Sequence, residues 1–317
     1  MFTATSTLFN LSISERTILM ELVWLSGFER YAGIWFLGYS VEQEDRLADP
    51  TEPILLDQEI LPMENSPPRC PIRFQHILGV RFIVADAQDA IDVISRAGGL
   101  VVVPSAPSLK DLTHDSQYRE AMLSADFAIA DSALMVMLWN LLQKDRIPKL
   151  SGLKYLRALL EQPGFREPGA TFWVMPSVES AEKNAAWLCN NGFDVSDRDF
   201  YVAPVYDKVF HDPDLLRRLE EQRPAHVVLG VGGGTQEPLG FYIKQNLGYR
   251  PAIHCIGAAI AFLSGDQVHI PVWADHLGLG WLWRSISDPA RYGTRYWKAR
   301  RLVPLIFRYR DKLPYSA

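Results

Sequence analysis

The stretch His226-Val227-Val228-Leu229-Gly230-Val231-Gly232-Gly233-Gly234-Thr235-Gln236-Glu237 decides the fold. Its apolar run up to Val231 is the pattern of a strand buried on both faces. Three glycines break the run, and from Glu237 to Gln245 the residues read as a helix. A buried strand, a glycine turn and a helix make one step of a parallel α/β sheet.

The same rhythm runs outward in both directions. Upstream, strands are predicted at Ile77 to Phe82, Leu100 to Val103, Phe127 to Ala130, Thr171 to Met175 and Phe200 to Ala203. Helices are predicted between them at Asp86 to Arg96, Ser108 to Leu123, Ser132 to Gln143, Leu153 to Leu160, Ser180 to Asn190 and Pro213 to Gln222. Downstream come a strand at Ala252 to Ile256 and a short helix at Ala259 to Leu263. Strands alternating with helices imply a Rossmann-like α/β domain, a mostly parallel sheet with helices on both faces. Ligands of such sheets bind outside the carboxyl ends of the strands.

Three divisions follow. Residues 1–75 hold apolar patches and an acidic, proline-punctuated run from Glu42 to Arg69, an accessory region with a linker. Residues 76–269 are the Rossmann-like domain. Residues 270–317 are an aromatic, basic appendage, with Pro289 and Pro304 expected to break it into short helices.

The 317 residues are 48% apolar and 22% charged, which excludes a disordered or collagen-like chain. The net charge of −5 argues against nucleic-acid binding, but it hides an asymmetry. From Arg284 onward nine Lys/Arg face only Asp288 and Asp311, a tail of +7 on a body of −12. Cys70, Cys189 and Cys255 are far apart and odd in number, and read as reduced, buried thiols of a cytoplasmic protein. No apolar run is long enough for a membrane span, and Thr17 to Gly27 does not read as a signal peptide.

The strand ends supply the candidate site. Asp131 follows one strand and precedes an apolar helix, and reads either as an N-cap or as a general base for a hydroxyl nucleophile. The run Gly232-Gly233-Gly234 is a turn or a place where backbone N–H groups meet a phosphate, with Gln236 and Glu237 beside it to orient a ligand. Asp197-Arg198-Asp199 has a metal-motif spacing but reads as a solvated turn, and the seven histidines show no paired metal spacing. No metal and no cofactor is expected. In the tail, Trp297, Leu302, Val303, Leu305, Ile306 and Phe307 with nearby cations suit an anionic membrane face, while other arginines suit phosphate oxygens.

In this order, these segments resemble the WecG/TagA/CpsF glycosyltransferase family, from about Ile77 to Trp297. Its Gly-Val start falls on Gly79-Val80, its Thr-x-Asn strand end on Val103-Pro104-Ser105, and its Asp-Gly on Asp131-Ser132. Its Arg-Val-x-Gly falls on Lys149-Leu150-Ser151-Gly152, its Gly-x-Pro-x-Gln-Glu on Gly232 to Glu237, and its Gly-Gly/Ala segment on Gly257-Ala258. The long Trp- and Arg-bearing signature falls on Ile270 to Arg291.

The resemblance implies metal-free, inverting transfer of a sugar, often of N-acetylmannosamine type, from a UDP-sugar. The implied acceptor is a polyprenyl-diphosphate-linked sugar, used in surface polysaccharide synthesis at the inner face of the cell membrane. It implies that Asp131 is the base and Gln236 a donor-site residue. It further implies that Arg284, Arg291 and Arg295 bind the diphosphate. Ser105, Lys149, Gly232, Gly233, Gly234, Thr235, Glu237 and Gly257 fall at substrate-contacting motif positions. Val103, Ser105, Ser132, Lys149, Ala261 and Gly280 depart from the family's residues. They leave a second reading open, a non-catalytic relative that binds a nucleotide sugar or acts as a scaffold. Self-association into a homo-oligomer is left open as well.

Overall fold

The structure is a computed structural model and describes residues 72–206, 210–257, 259–265, 293 and 297–315. Eight strands form one sheet: β1 (Arg73–Ile77), β2 (Val80–Val84), β3 (Gly99–Val102), β4 (Phe127–Ala128), β5 (Thr171–Met175), β6 (Phe200–Val202), β7 (His226–Leu229) and β8 (Ala252–Cys255). Their order across the sheet is β1-β2-β4-β3-β8-β7-β5-β6. Only β1 and β2 pair antiparallel, and every other pairing is parallel.

The expected Rossmann-like architecture is the one observed. All residues of β3, β5, β7 and β8 are buried, because helices cover both faces. On one face lie α1 (Ala87–Ala97), α5 (Gly152–Leu160), α6 (Pro163–Arg166), α7 (Val178–Asn190) and α10 (Ala259–Leu263). On the other lie α2 (Ala106–Leu109), α3 (Ser116–Ser124), α4 (Ala133–Leu142), α8 (Pro213–Gln222), α9 (Gln236–Asn246) and α11 (Leu302–Tyr309). Local signals set the boundaries. Asp86, Asp115, Ser132, Ser151, Ser177 and Asp212 each accept a backbone N–H in the first turn of the helix they precede.

Three expectations are corrected. The single strand expected over Ile77 to Phe82 is a hairpin. Leu78 (φ 51) and Gly79 (φ 78) turn left-handed between β1 and β2, as a two-residue hairpin loop requires. The helix expected over Ser108 to Leu123 is three pieces. α2 gives way to a 3-10 turn at Lys110–Thr113, and Asp115 starts α3 afresh by accepting the Tyr118 N–H. Cys189 is exposed where a buried thiol was expected, while Cys255 is buried. Cys70 lies outside the described residues.

The tail brings the fourth correction. Leu302 and Ile306 are fully buried against α4, so neither faces a membrane. α4 is apolar all round and needs that cover. Pro304 sits in the first turn of α11, where its missing N–H has no helical partner to lose, so the helix continues through it. Past its end, the carbonyls of Arg310 and Asp311 accept the N–H groups of Leu78 (2.7 Å) and Gly79 (3.0 Å). A Cβ on Gly79 would lie 2.9 Å from Leu313 Cβ, so the close approach also needs glycine there. Trp297 and Phe307 remain exposed, with Arg300, Arg301, Arg308 and Arg310.

Candidate functional site at the carboxyl edge of the sheet

Because β3, β4, β7 and β8 are parallel, Ser105, Asp131, the glycine run and Gly257 all follow the sheet's carboxyl edge. The structure first joins Asp131 to the Lys149–Gly152 segment. Leu150 N–H donates to the Ala130 carbonyl (3.1 Å), and Gly152 N–H donates to Asp131 Oδ1 (3.0 Å). Gly152 opens α5, so the positive end of that helix fixes the carboxylate's direction. A Cβ on Gly152 would sit 3.2 Å from Val103 Cγ1, which explains how the end of β3 and the start of α5 approach so closely. Ser132, not Asp131, caps α4, through Ser132 Oγ and Met135 N–H (3.2 Å). Asp131 itself is half-buried, and it is not the cap of the helix it precedes. Lys149 is half-buried alongside.

The second group gathers at the start of α9. Gln236 and Glu237 are 3% and 1% exposed and bond internally. Gln236 Oε1 accepts Gly257 N–H (2.6 Å), and its Nε2 donates to the Cys255 carbonyl (3.2 Å) and to Glu237 Oε1 (3.1 Å). Glu237 Oε2 accepts Gly234 N–H (2.7 Å), and Thr235 N–H donates to the Gly232 carbonyl (3.1 Å). Two of the N–H groups expected to cradle a phosphate are therefore engaged. The run itself is exposed, and Gly234 (φ +93) adopts the left-handed backbone that favours glycine. Gln236 ties β8's exit turn to α9, so it shapes the edge from beneath.

Ser105 stands after β3, and its hydroxyl meets Ser108's at 3.0 Å. Beyond it lies a cavity of about 270 Å³, lined by Pro107, Ser108, Lys110, Asp111, Asp115, Tyr118, Gly233, Gly234 and Lys298. Sequence reasoning missed Lys110, Tyr118 and Lys298, since no local pattern connects α3, the glycine run and the tail. Arg284, Arg291, Arg295 and the Ile270 to Arg291 signature lie outside the described residues, as does the accessory region up to residue 71.

Two other polar clusters are structural. Asp199 is buried, and accepts the Ser196 N–H (2.8 Å) and hydroxyl (3.0 Å) in a capping box. Asp197 and Arg198 are exposed, as a solvated turn requires, and only Asp199 folds back into it. Tyr155 Oη, His254 Nδ1 and His254 Nε2, His226 Nδ1 form a buried chain with spacings of 3.0 and 3.1 Å. Burial holds the His226 pKa down at about 4 and that of His254 well below the usual range, so both rings are neutral near pH 7. Among the described residues no group of three or more His, Cys, Asp or Glu could hold a metal ion, and no helix is long and apolar enough to cross a membrane.

The family model described as the glycosyl transferase WecG/TagA/CpsF family matches residues 75–315. The chain belongs to the WecG/TagA/CpsF glycosyltransferase family. Membership gives this protein a glycosyl-transfer role in polysaccharide synthesis. The match extends past Trp297 through α11, in keeping with the helix's place in the core. No curated protein matches the chain.

Proposed function

We propose that this WecG/TagA/CpsF-family protein is an inverting, UDP-sugar-dependent hexosyltransferase acting on a polyprenyl-diphosphate-linked sugar. The observation that carries the reading is Asp131, a half-buried carboxylate at the sheet's carboxyl edge, aimed by α5 and not used as a cap. The acceptor hydroxyl attacks the anomeric carbon, its proton passes to Asp131, and UDP departs with the electron pair of the broken bond. The exposed backbone of Gly232 and Gly233, and Arg284, Arg291 and Arg295 from the tail, offset the diphosphate charge. Lys149, beside Asp131, adds a cation at the same edge. The transferred sugar is of N-acetylmannosamine type.

Asp131→Asn keeps the acceptor for Gly152 N–H and removes the base. UDP release from UDP-N-acetylmannosamine with a polyprenyl-diphosphate N-acetylglucosamine acceptor should fall about 10²-fold or more, with Tm unchanged. Full activity in that variant would reject Asp131 as the base. UDP binding without turnover in the wild type would favour the non-catalytic reading, which the internal bonding of Gln236 supports.

The acceptor brings the protein to the inner face of the cell membrane. Exposed Trp297 and Phe307, with Arg300, Arg301, Arg308 and Arg310, form the contact. At about 1 kcal/mol per cation, four give reversible binding to anionic lipid. Sedimentation with phosphatidylglycerol vesicles should therefore be strong in low salt and lost in high salt.

A further inference from the structure

Tyr118 is 1% exposed, and its hydroxyl has no hydrogen-bond partner among the described residues. Leaving a buried hydroxyl unmatched costs about 1–3 kcal/mol, so a group in this position calls for a partner from elsewhere. The neighbouring Ser108 hydroxyl meets Ser105's at 3.0 Å, and its pull on the phenol is a minor one that works against the effect of burial. Burial, reinforced by the charges of Glu237 and Asp111, pushes the phenol well above its usual range, so it stays a neutral group that can donate and accept. It lines the cavity of about 270 Å³ between α2, α3, the glycine run and the tail.

The lining describes the occupant. Lys110 and Lys298 line the same space as Asp111 and Asp115, and Lys110 pairs with Asp111. An anion would meet the carboxylates and a cation the ammonium groups, so a net charge is disfavoured. Paired donors and acceptors with two further hydroxyls, Ser108 and Tyr118, suit a ring of alternating hydroxyls. The volume lies just below the roughly 300–1,000 Å³ of sites for drug-sized ligands, which leaves room for one ring and not for a nucleotide.

We propose that the Tyr118 cavity is a subsite for a single uncharged pyranose ring, set beside Gly233 and Gly234. The inference rests on the glycosyl-transfer reading. The ring belongs either to the donor's sugar or to the acceptor's, and the chemistry of recognition is the same for both. Lys298 reaches this subsite from the tail, so the same segment that carries the exposed aromatics also closes the sugar cavity.

The test is saturation-transfer NMR on the full chain with free N-acetylmannosamine, N-acetylglucosamine and glucose. At least one should bind the wild type in the millimolar range. Tyr118→Phe removes only the unmatched hydroxyl, so Tm should hold or rise. Sugar affinity should fall about 3- to 12-fold, the loss of one hydrogen bond. Lys298→Met, at an exposed position, should weaken the same sugar. Displacement by the UDP-sugar but not by UDP assigns the donor's ring, and displacement by neither assigns the acceptor's. The proposal is overturned if no sugar binds, if Tyr118→Phe binds as the wild type does, or if UDP alone displaces the sugar. UDP binding that persists through such a failure would leave the transferase reading standing.

Discussion

Two aspartates five positions apart flank β4, one at each edge of the sheet, and they are treated in opposite ways. Asp126, at the amino edge, is saturated. It accepts from Leu100 N–H (2.7 Å) and pairs with Lys244 (2.7 Å) and Arg250 (2.8 Å), while its carbonyl takes Arg81 (2.9 Å). Burial alone would raise its pKa, but the Lys244 hydrogen bond, the Leu100 N–H and Arg250 overcome this and hold it below the usual range. Asp131, at the carboxyl edge, is half-buried and accepts the Gly152 N–H at the start of α5 (3.0 Å). A carboxylate enclosed by cations resists protonation, whereas Asp131 is set by a helix start at the edge where open α/β sheets take their ligands. With Asp131 as the proposed base, the strand would carry stability at one end and chemistry at the other, as open α/β sheets do.

Exchanging the roles is the strongest way to break this comparison. Asp131→Asn should lower turnover about 10²-fold or more at unchanged stability. Asp126→Ala should do the reverse. Loss of its partners should cost about 2–4 kcal/mol in urea unfolding, trimmed by solvent at half-exposed Arg250, with turnover per folded molecule preserved. If Asp126→Ala lowers turnover at unchanged stability, the assignment of the two edges is reversed.

A smaller effect comes from the buried histidines packed under α5 and α6. His226 has its pKa lowered to about 4 by burial. The unfolded chain then binds more protons than the folded one between about pH 6.5 and 4, so stability is full above 6.5 and falls through that window. About 2 kcal/mol should be lost between pH 7 and pH 5, with His254 acting in the same direction. Asp126 also contributes stability that is lost on acidification, but below the ordinary carboxylate range, near pH 4 and under. Urea midpoints at pH 7, 5 and 4 separate the two, and His226→Gln should flatten only the upper window.

The smallest and sharpest test is Gly152→Ala. Its Cβ would crowd Val103 Cγ1 at 3.2 Å, so the start of α5 shifts by tenths of an ångström. Stability should change by less than about 1 kcal/mol, while turnover falls severalfold because the N–H that aims Asp131 moves. A stability loss without a turnover loss would show that aiming is not the role of that contact.

The sheet was legible because its strands are apolar on both faces. β5, α8 and α10 run over the very residues expected from the sequence. The hairpin was not, because Leu78 occupies a left-handed position that usually announces itself by Gly or Asn. α11 defeated the reading for another reason. Apolar residues at helical spacing look alike whether lipid or another helix covers them, and the cover, α4, lies about 160 residues earlier in the chain. Asp131 was found as a strand-end carboxylate, but its cap reading failed because Ser132 one residue on does that work. The internal bonds of Gln236 depend on the exit of β8, which local sequence does not display.

The join between Leu78–Gly79 and Arg310–Asp311 has a bearing on synthesis. The first hairpin of the sheet waits for a segment more than 230 residues later before its turn is tied down and α4 is roofed. During translation the rest of the sheet can assemble while the apolar top of α4 stays open, a state prone to association with other chains. Arrival of α11 then acts as the latch on the sheet, so fragments ending before Leu302 should be met by chaperones and proteases rather than persist as partial domains.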